Sequence, residues 1–278
     1  MSATIAQAFA TAAAASRAAF VPFVSGGFPS PAACTDLVLS LDGLGASVIE
    51  LGVPFSDPLA DGPVIQAASH RALTAGMTPA KVLDLAAGLA PRIKAALVLM
   101  TYYNPVARMG LNEFAQRAAG AGAAGVIVPD LPPEEAGPWR EAASIAGLDT
   151  IFMAAPTTPQ NRLPLILAAC SGFLYYVSLT GVTGSALSLD AGALARLNAV
   201  RAASSLPVAV GFGVAGPEQA AALANAADGV IVGSALMRPL LADDGPAGVD
   251  AALALAGSIQ AALCRQPGQC LAEQHTNR

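Results

Sequence analysis

Eight short apolar runs, separated by alanine- and leucine-rich segments of helical spacing, set the strongest limit on what this chain can fold into. They are Phe20–Ser25, Ser47–Leu51, Ala96–Thr101, Gly125–Val128, Thr150–Met153, Phe173–Ser178, Val208–Gly211 and Gly229–Val232. The runs are continuous rather than alternating, the pattern of strands covered on both faces. Segments such as Pro79–Ala90, Leu111–Ala121 and Pro217–Ala226 supply the helices between them. Eight strand–helix alternations predict an α/β fold, a (β/α)8 TIM barrel, with a doubly wound sheet as the structural rival. The 278 residues suit one barrel, which runs about 250 residues. The expected organisation is a single barrel domain over 1–265, with an extra amphipathic helix before the first strand and a polar tail over 266–278. Gly125-Val-Ile-Val128 and Gly229-Val-Ile-Val232 echo each other, which reads as the common likeness of buried strands, with duplication of a half-barrel as the alternative.

Charge and cysteine usage narrow the partners. Charged residues make up 12% of the chain, against about 25% in an ordinary soluble domain, and the net charge is −5. That balance offers no basic patch for nucleic acid or anionic lipid. No run reaches the roughly 20 apolar residues of a membrane helix. Cys34, Cys170, Cys264 and Cys270 are scattered without a CxxC pair, which points to a reducing, cytoplasmic setting.

Barrels of this kind do chemistry at the C-terminal ends of their strands, so polar residues there carry the functional signal. The second run ends in Val48-Ile49-Glu50-Leu51-Gly52. A carboxylate inside an apolar strand end is costly unless it is paired or has a task, and burial raises its pKa toward that of a working acid or base. Asp61 follows in a proline-stiffened loop, with Asp57 between. Two carboxylates around one strand end favour catalysis over turn-forming roles. Gly-rich turns follow the sixth, seventh and eighth runs: Gly181–Gly184, Gly211–Gly213 and Gly233-Ser234. Glycines let backbone N–H groups approach a ligand, and Ser234 opens a predicted helix whose N-terminus favours an anion. Phe23, Met100, Ile127, Met153, Tyr175 and Phe212, at or near strand ends, wall a flat apolar ligand.

Absences matter as well. The only lysines are Lys81, on a predicted helix, and Lys94, at the opposite end of the barrel. A lysine Schiff base is therefore disfavoured. With only His70 and His275, no histidine cluster exists for zinc, and no metal site is expected. Acid–base chemistry by carboxylates on a phosphorylated substrate remains.

The segment Glu50-Leu-Gly-Val-Pro-Phe-Ser-Asp-Pro-Leu-Ala-Asp-Gly-Pro63 resembles the signature of the tryptophan synthase alpha-subunit family. The resemblance extends through Phe20–Phe23, Met100–Pro105, Val128–Pro132, Ala155–Thr158, Tyr176–Gly184, Gly211–Gly213 and Val232–Ala235, covering about residues 19 to 240 in order. It implies retro-aldol cleavage of indole-3-glycerol phosphate to indole and glyceraldehyde 3-phosphate. Glu50 would move protons at indole C3 and at the glycerol hydroxyl, and Asp61 would hold the indole N–H. Tyr175 would support Glu50. Phe23, Ile65, Met100, Ile127 and Phe212 would sandwich the indole, while Gly184, Gly213, Gly233 and Ser234 would bind the phosphate. Thr183 would belong to a closing loop over about 179–192. The resemblance also implies a beta-subunit partner in an alpha2-beta2 complex, with PLP in that partner and no cofactor in this chain. Asp57, Pro58 and Asn104 are the candidate contacts. The chain departs from the expected pattern at Phe28, where an acidic residue or tyrosine is expected, and at Ser185-Ala-Leu-Ser188, where a basic residue is expected. Alternatives on the same scaffold are a stand-alone indole-3-glycerol phosphate lyase, another phosphate-binding barrel enzyme, and a non-catalytic barrel that only activates a partner.

Overall fold

The computed structural model describes residues 3–177, 191–211 and 213–265. Its strands are β1 (Ala19–Ser25), β2 (Val48–Gly52), β3 (Ala96–Met100), β4 (Gly125–Ile127), β5 (Asp149–Ile151), β6 (Met153–Ala154), β7 (Leu174–Val177), β8 (Val208–Gly211) and β9 (Gly229–Val232). All pair in parallel, in the order β5-β4-β3-β2-β1-β9-β8-β7-β6. The two outermost strands of that order are consecutive in the chain, parted only by Phe152. The ring therefore closes through the polypeptide itself, and nine ladder segments make the eight-stranded barrel predicted from the sequence.

The divided fifth strand is the one departure from the predicted runs. Its first half pairs with β4 (Gly125↔Asp149, Ile127↔Ile151) and its second half with β7 (Met153↔Tyr175). At the handover the Phe152 N–H donates to the Cys170 sulfur at 3.4 Å, and the Phe152 carbonyl accepts the Tyr175 N–H at 3.0 Å. β1 changes partner in a similar way. It pairs with β9 over Ala19–Pro22 and with β2 over Phe23–Ser25, so Pro22, which has no N–H to give, sits at the change.

Every residue of β1, β2, β3, β4, β8 and β9 is buried, which is why those runs are apolar throughout rather than alternating. The N-terminal helix Ile5–Ala14 starts at a capping box. Thr4 Oγ1 accepts the Gln7 N–H, and Gln7 Oε1 accepts the Thr4 N–H. Its buried stripe, Ile5, Ala8, Phe9 and Ala12, lies against the N-terminal end of the barrel. Phe9 packs on Phe173 with ring centroids 5.4 Å apart, and a Cβ at Gly229 would lie 2.9 Å from the Phe9 ring. Phe9 thus closes on the strand starts at that end, while barrels of this kind bind ligands at the opposite end, at the strand C-termini.

Candidate functional site

Glu50 sits in the middle of β2, level with Phe23 of β1 and Val98 of β3, and is 1% exposed. Its Oε2 has no hydrogen-bond partner among the described residues. Burial, with the charge of Asp61 in second place, pushes its carboxyl up to about 8. An orphaned acceptor in an apolar interior is expensive, and a carboxyl so placed keeps its proton at neutral pH.

Asp61 ends the loop that leaves β2. Its N–H donates to the Pro58 carbonyl at 3.0 Å, and its own carbonyl accepts from Gln66 Nε2 at 2.8 Å. The helix Pro63–Thr74 follows at once, with proline in its first turn, so the loop has a rigid anchor on each side. Burial pushes the Asp61 carboxyl up to about 6, and a hydrogen bond from Tyr102 opposes that rise. The two carboxyls thus carry opposite protonation near pH 7, Glu50 as the neutral acid and Asp61 as the anion. Pairs of titratable groups driven apart in this way mark acid–base sites.

Phe23, Gly52, Asp61, Ile65, Met100 and Tyr102 line one cavity at this strand end, with Ser25, Val53, Pro54 and Ser69. Of the residues expected to form an apolar slot, Phe23, Ile65 and Met100 therefore meet. Ile127 pairs in register with Met100 and is wholly buried beside it. Tyr175 lies on β7, fully buried, and its phenol is held well above the ordinary range by burial and then by the charges of Glu50 and Asp61. Gly211 packs so closely on it that an added Cβ would fall 2.4 Å from the Tyr175 hydroxyl.

The expected anion contacts lie on neighbouring strand ends. Gly213 has φ +82°, which favours glycine. Gly233 precedes the helix Ser234–Ala242, whose first turn has no side-chain cap, and an added Cβ there would lie 3.5 Å from Phe23 Cβ. Free N–H groups at such a helix start suit a phosphate. Thr183, Gly184, Phe212, the 179–190 stretch of the expected closing loop and the 266–278 tail lie outside the described residues.

Asp57 is exposed and Pro58 half-buried on the loop after β2, while Asn104, expected on a loop, is exposed in the first turn of the helix Tyr103–Met109. Between them Leu59 is 89% exposed. Phe28, by contrast, is buried, with the Arg71 guanidinium 6.0 Å from its ring centre. Among the described residues no group of His, Cys, Asp and Glu is arranged to hold a metal ion, and no helix is long and apolar enough to cross a membrane.

Sequence reasoning did not single out Tyr102 or Ser69. Tyr102 stands two residues past the end of β3, where an aromatic reads as core. Ser69 is a buried hydroxyl on the helix after the loop, and it accepts the Phe55 N–H at 3.1 Å. The available signal for Tyr102 was its place at a strand end facing the Asp61 loop.

The profile of the family described as "Tryptophan synthase alpha chain" matches residues 9–263. The tryptophan synthase alpha chain of Gloeobacter violaceus is 47% identical over 243 residues, 87% of this chain and 88% of that one. That of Rhizorhabdus wittichii is 47% identical over 262 residues, 94% and 96% of the two chains. Among solved structures, a tryptophan synthase from Mycobacterium tuberculosis superposes with a TM-score of 0.86 at 37% identity, covering 95% of this chain and 99% of that chain. The tryptophan synthase subunit alpha of Legionella pneumophila gives 0.83 at 36% identity, covering 93% and 97%. With a profile match over nearly the whole barrel and relatives 47% identical across most of its length, this chain belongs to the tryptophan synthase alpha chain family.

Proposed function

We propose that this chain is a carbon–carbon lyase that splits indole-3-glycerol phosphate into indole and glyceraldehyde 3-phosphate, working as the alpha subunit of tryptophan synthase. The observation that carries the reading is the oppositely protonated pair, Glu50 with its carboxyl up to about 8 and Asp61 up to about 6, beside a small cavity that Phe23, Ile65 and Met100 help to line.

Glu50 donates its proton to indole C3, which turns the ring into its protonated indolenine form. Asp61 accepts the ring N–H and offsets the positive charge that develops there. Glu50, now a carboxylate in a dry site, takes the proton of the hydroxyl on the carbon attached to C3. The bond between that carbon and C3 breaks, its electron pair returns to the ring, and an aldehyde forms. Glu50 ends protonated as it began, so no co-reactant is consumed. Phe23, Ile65 and Met100 hold the ring flat, and Gly213, Gly233 and Ser234 hold the phosphate through N–H groups and a hydroxyl. Without a lysine cluster, such a backbone site suits a phosphate at low cost in net charge.

The rim supports a protein partner. Asp57, Pro58 and Asn104, with the exposed Leu59 among them, are contacts for a PLP-bearing beta subunit that takes the indole. The test is indole release from indole-3-glycerol phosphate by the purified chain, alone and with a tryptophan synthase beta subunit. Weak release that rises severalfold with the beta subunit is expected. High release indifferent to it makes the chain a stand-alone lyase, and no release in either condition overturns the roles of Glu50 and Asp61.

A further inference from the structure

Asp61 is fixed along its backbone by Pro58 and Gln66, but those bonds leave the direction of its carboxyl open. Tyr102 stands beside it in the same cavity. It follows β3 as the cap of the helix Tyr103–Met109 and is 3% exposed. Its hydroxyl accepts the Ala60 N–H at 3.2 Å. A phenol hydroxyl has one proton to give, and with the Ala60 N–H on its oxygen that proton is free for a neighbouring acceptor; the next residue, Asp61, lines the same small cavity as Tyr102. The same side chain reaches the other end of the loop. Its ring stacks on Phe55, with centroids 5.3 Å apart and planes at 29°. Phe55 is tied in turn to Ser69.

Tyr102 is itself held from behind. Asp130, on the loop after β4, accepts the Tyr103 N–H through Oδ1 at 2.8 Å. The residue next to Tyr102 is thus pinned to a third strand end. A core aromatic needs none of these polar ties, and a phenylalanine would fill the same space.

We propose that Tyr102 is the positioning residue of the Asp61 carboxyl, aiming it with its hydroxyl while its ring clamps the loop from Phe55 to Asp61. The inference rests on the reading of Asp61 given above. The ionisable groups that act here come from several elements: Glu50 on β2, Tyr175 on β7, Tyr102 after β3, and Asp130 behind Tyr102. Tyr102 is the one whose hydrogen bond lowers the Asp61 carboxyl.

The test is Tyr102→Phe, which keeps the ring and removes the hydroxyl. The Asp61 titration is followed without substrate by its carboxylate infrared band, assigned by difference against Asp61→Asn. Indole release is followed against pH in parallel. In Tyr102→Phe the Asp61 titration, and with it the acidic limb of kcat/KM, is expected to move up by about one pH unit. The thermal midpoint is measured alongside, and a merely structural role would move it without moving the titration. An Asp61 titration unchanged in Tyr102→Phe overturns the proposal, whatever happens to the rate. If the wild-type chain releases no indole, the functional reading fails, and the infrared titration still decides whether Tyr102 sets Asp61.

Discussion

Gly52 at the end of β2 leaves just the room that the ring of Phe23 fills: a Cβ on Gly52 would lie 2.6 Å from Phe23 Cζ and 2.7 Å from Cε2. Both residues line the cavity. The first prediction is that Gly52→Ala pushes the Phe23 ring into the slot proposed for the indole. Overpacking of this kind costs about 1–3 kcal/mol of stability. Misplacing a substrate wall lowers kcat/KM by a factor on the order of 10–100. Steady-state kinetics and urea unfolding of Gly52→Ala check both, and a variant with wild-type KM would show that Phe23 does not touch the substrate.

The pH dependence of the rate follows from the pair. Asp61 must be ionised and Glu50 protonated, with carboxyls at about 6 and about 8. The expected kcat/KM profile is a bell with its maximum between those values, falling below as Asp61 takes a proton and above as Glu50 loses one. Glu50→Gln removes the proton donor and is expected to lower kcat about 10²–10⁴-fold. A profile rising steadily through pH 9 would contradict the assignment of Glu50 as the acid.

Glu50 also sets a pH dependence of stability. Its carboxyl ionises near the ordinary value of 4.5 when unfolded and near 8 when folded. Below the lower value it is protonated in both states and costs nothing. Between the two, the unfolded chain has lost a proton that the folded chain keeps, so wild-type stability falls as pH rises through that window. Glu50→Gln lacks this loss. Its advantage over wild type is expected to grow from pH 5 to pH 8, reaching a few kcal/mol, with about 1.4 kcal/mol for each pH unit crossed. Urea midpoints of the two proteins at three pH values decide it, and parallel curves would show that Glu50 is solvated.

At the other end of the barrel, Phe9 carries stability rather than chemistry. Phe9→Ala opens a void against Phe173 and Gly229 and is expected to cost about 3–5 kcal/mol. At a temperature where the variant stays folded, kcat/KM should match wild type. A large kinetic effect would mean that the barrel transmits strain from one end to the other.

Leu59 tests the partner surface. Burying a leucine contributes about 1.5–3 kcal/mol, so Leu59→Glu is expected to raise the half-saturating concentration of the beta subunit about tenfold or more. Titration of the beta subunit into the indole-release assay reads this directly. An unchanged half-saturation would place the contact elsewhere on the rim.

The barrel was legible because strands covered on both faces write themselves as unbroken apolar runs, and β1, β2 and β3 sit where those runs predict. The split at Phe152 was not, since the run Thr150–Met153 shows no break in the sequence and the change of partner depends on what stands on each side. Glu50 stood out as a charge in an apolar strand, and Asp61 by its place in the loop that follows. Tyr102 did not, because the sequence shows its ring but not the Ala60 N–H that turns its hydroxyl. Phe28 stands where the family pattern led one to expect an acidic residue or tyrosine, and its side chain is buried with the Arg71 guanidinium over its ring, a packing that the sequence does not show.

The handover at Phe152 divides the cylinder into two arcs, one running from β1 through β4 to β5 and one from β1 through β9 to β6. The lower half of the fifth strand travels with the first arc, which carries Glu50 and Asp61. The upper half travels with the second, which carries Tyr175 and Gly233. The proposed acid–base pair and the anchor proposed for the phosphate thus belong to different arcs, which share β1 as a spine and meet again at Phe152. A substrate gripped at both ends would act as a brace across that seam, stiffening the whole ring by bridging the two halves at their open edge.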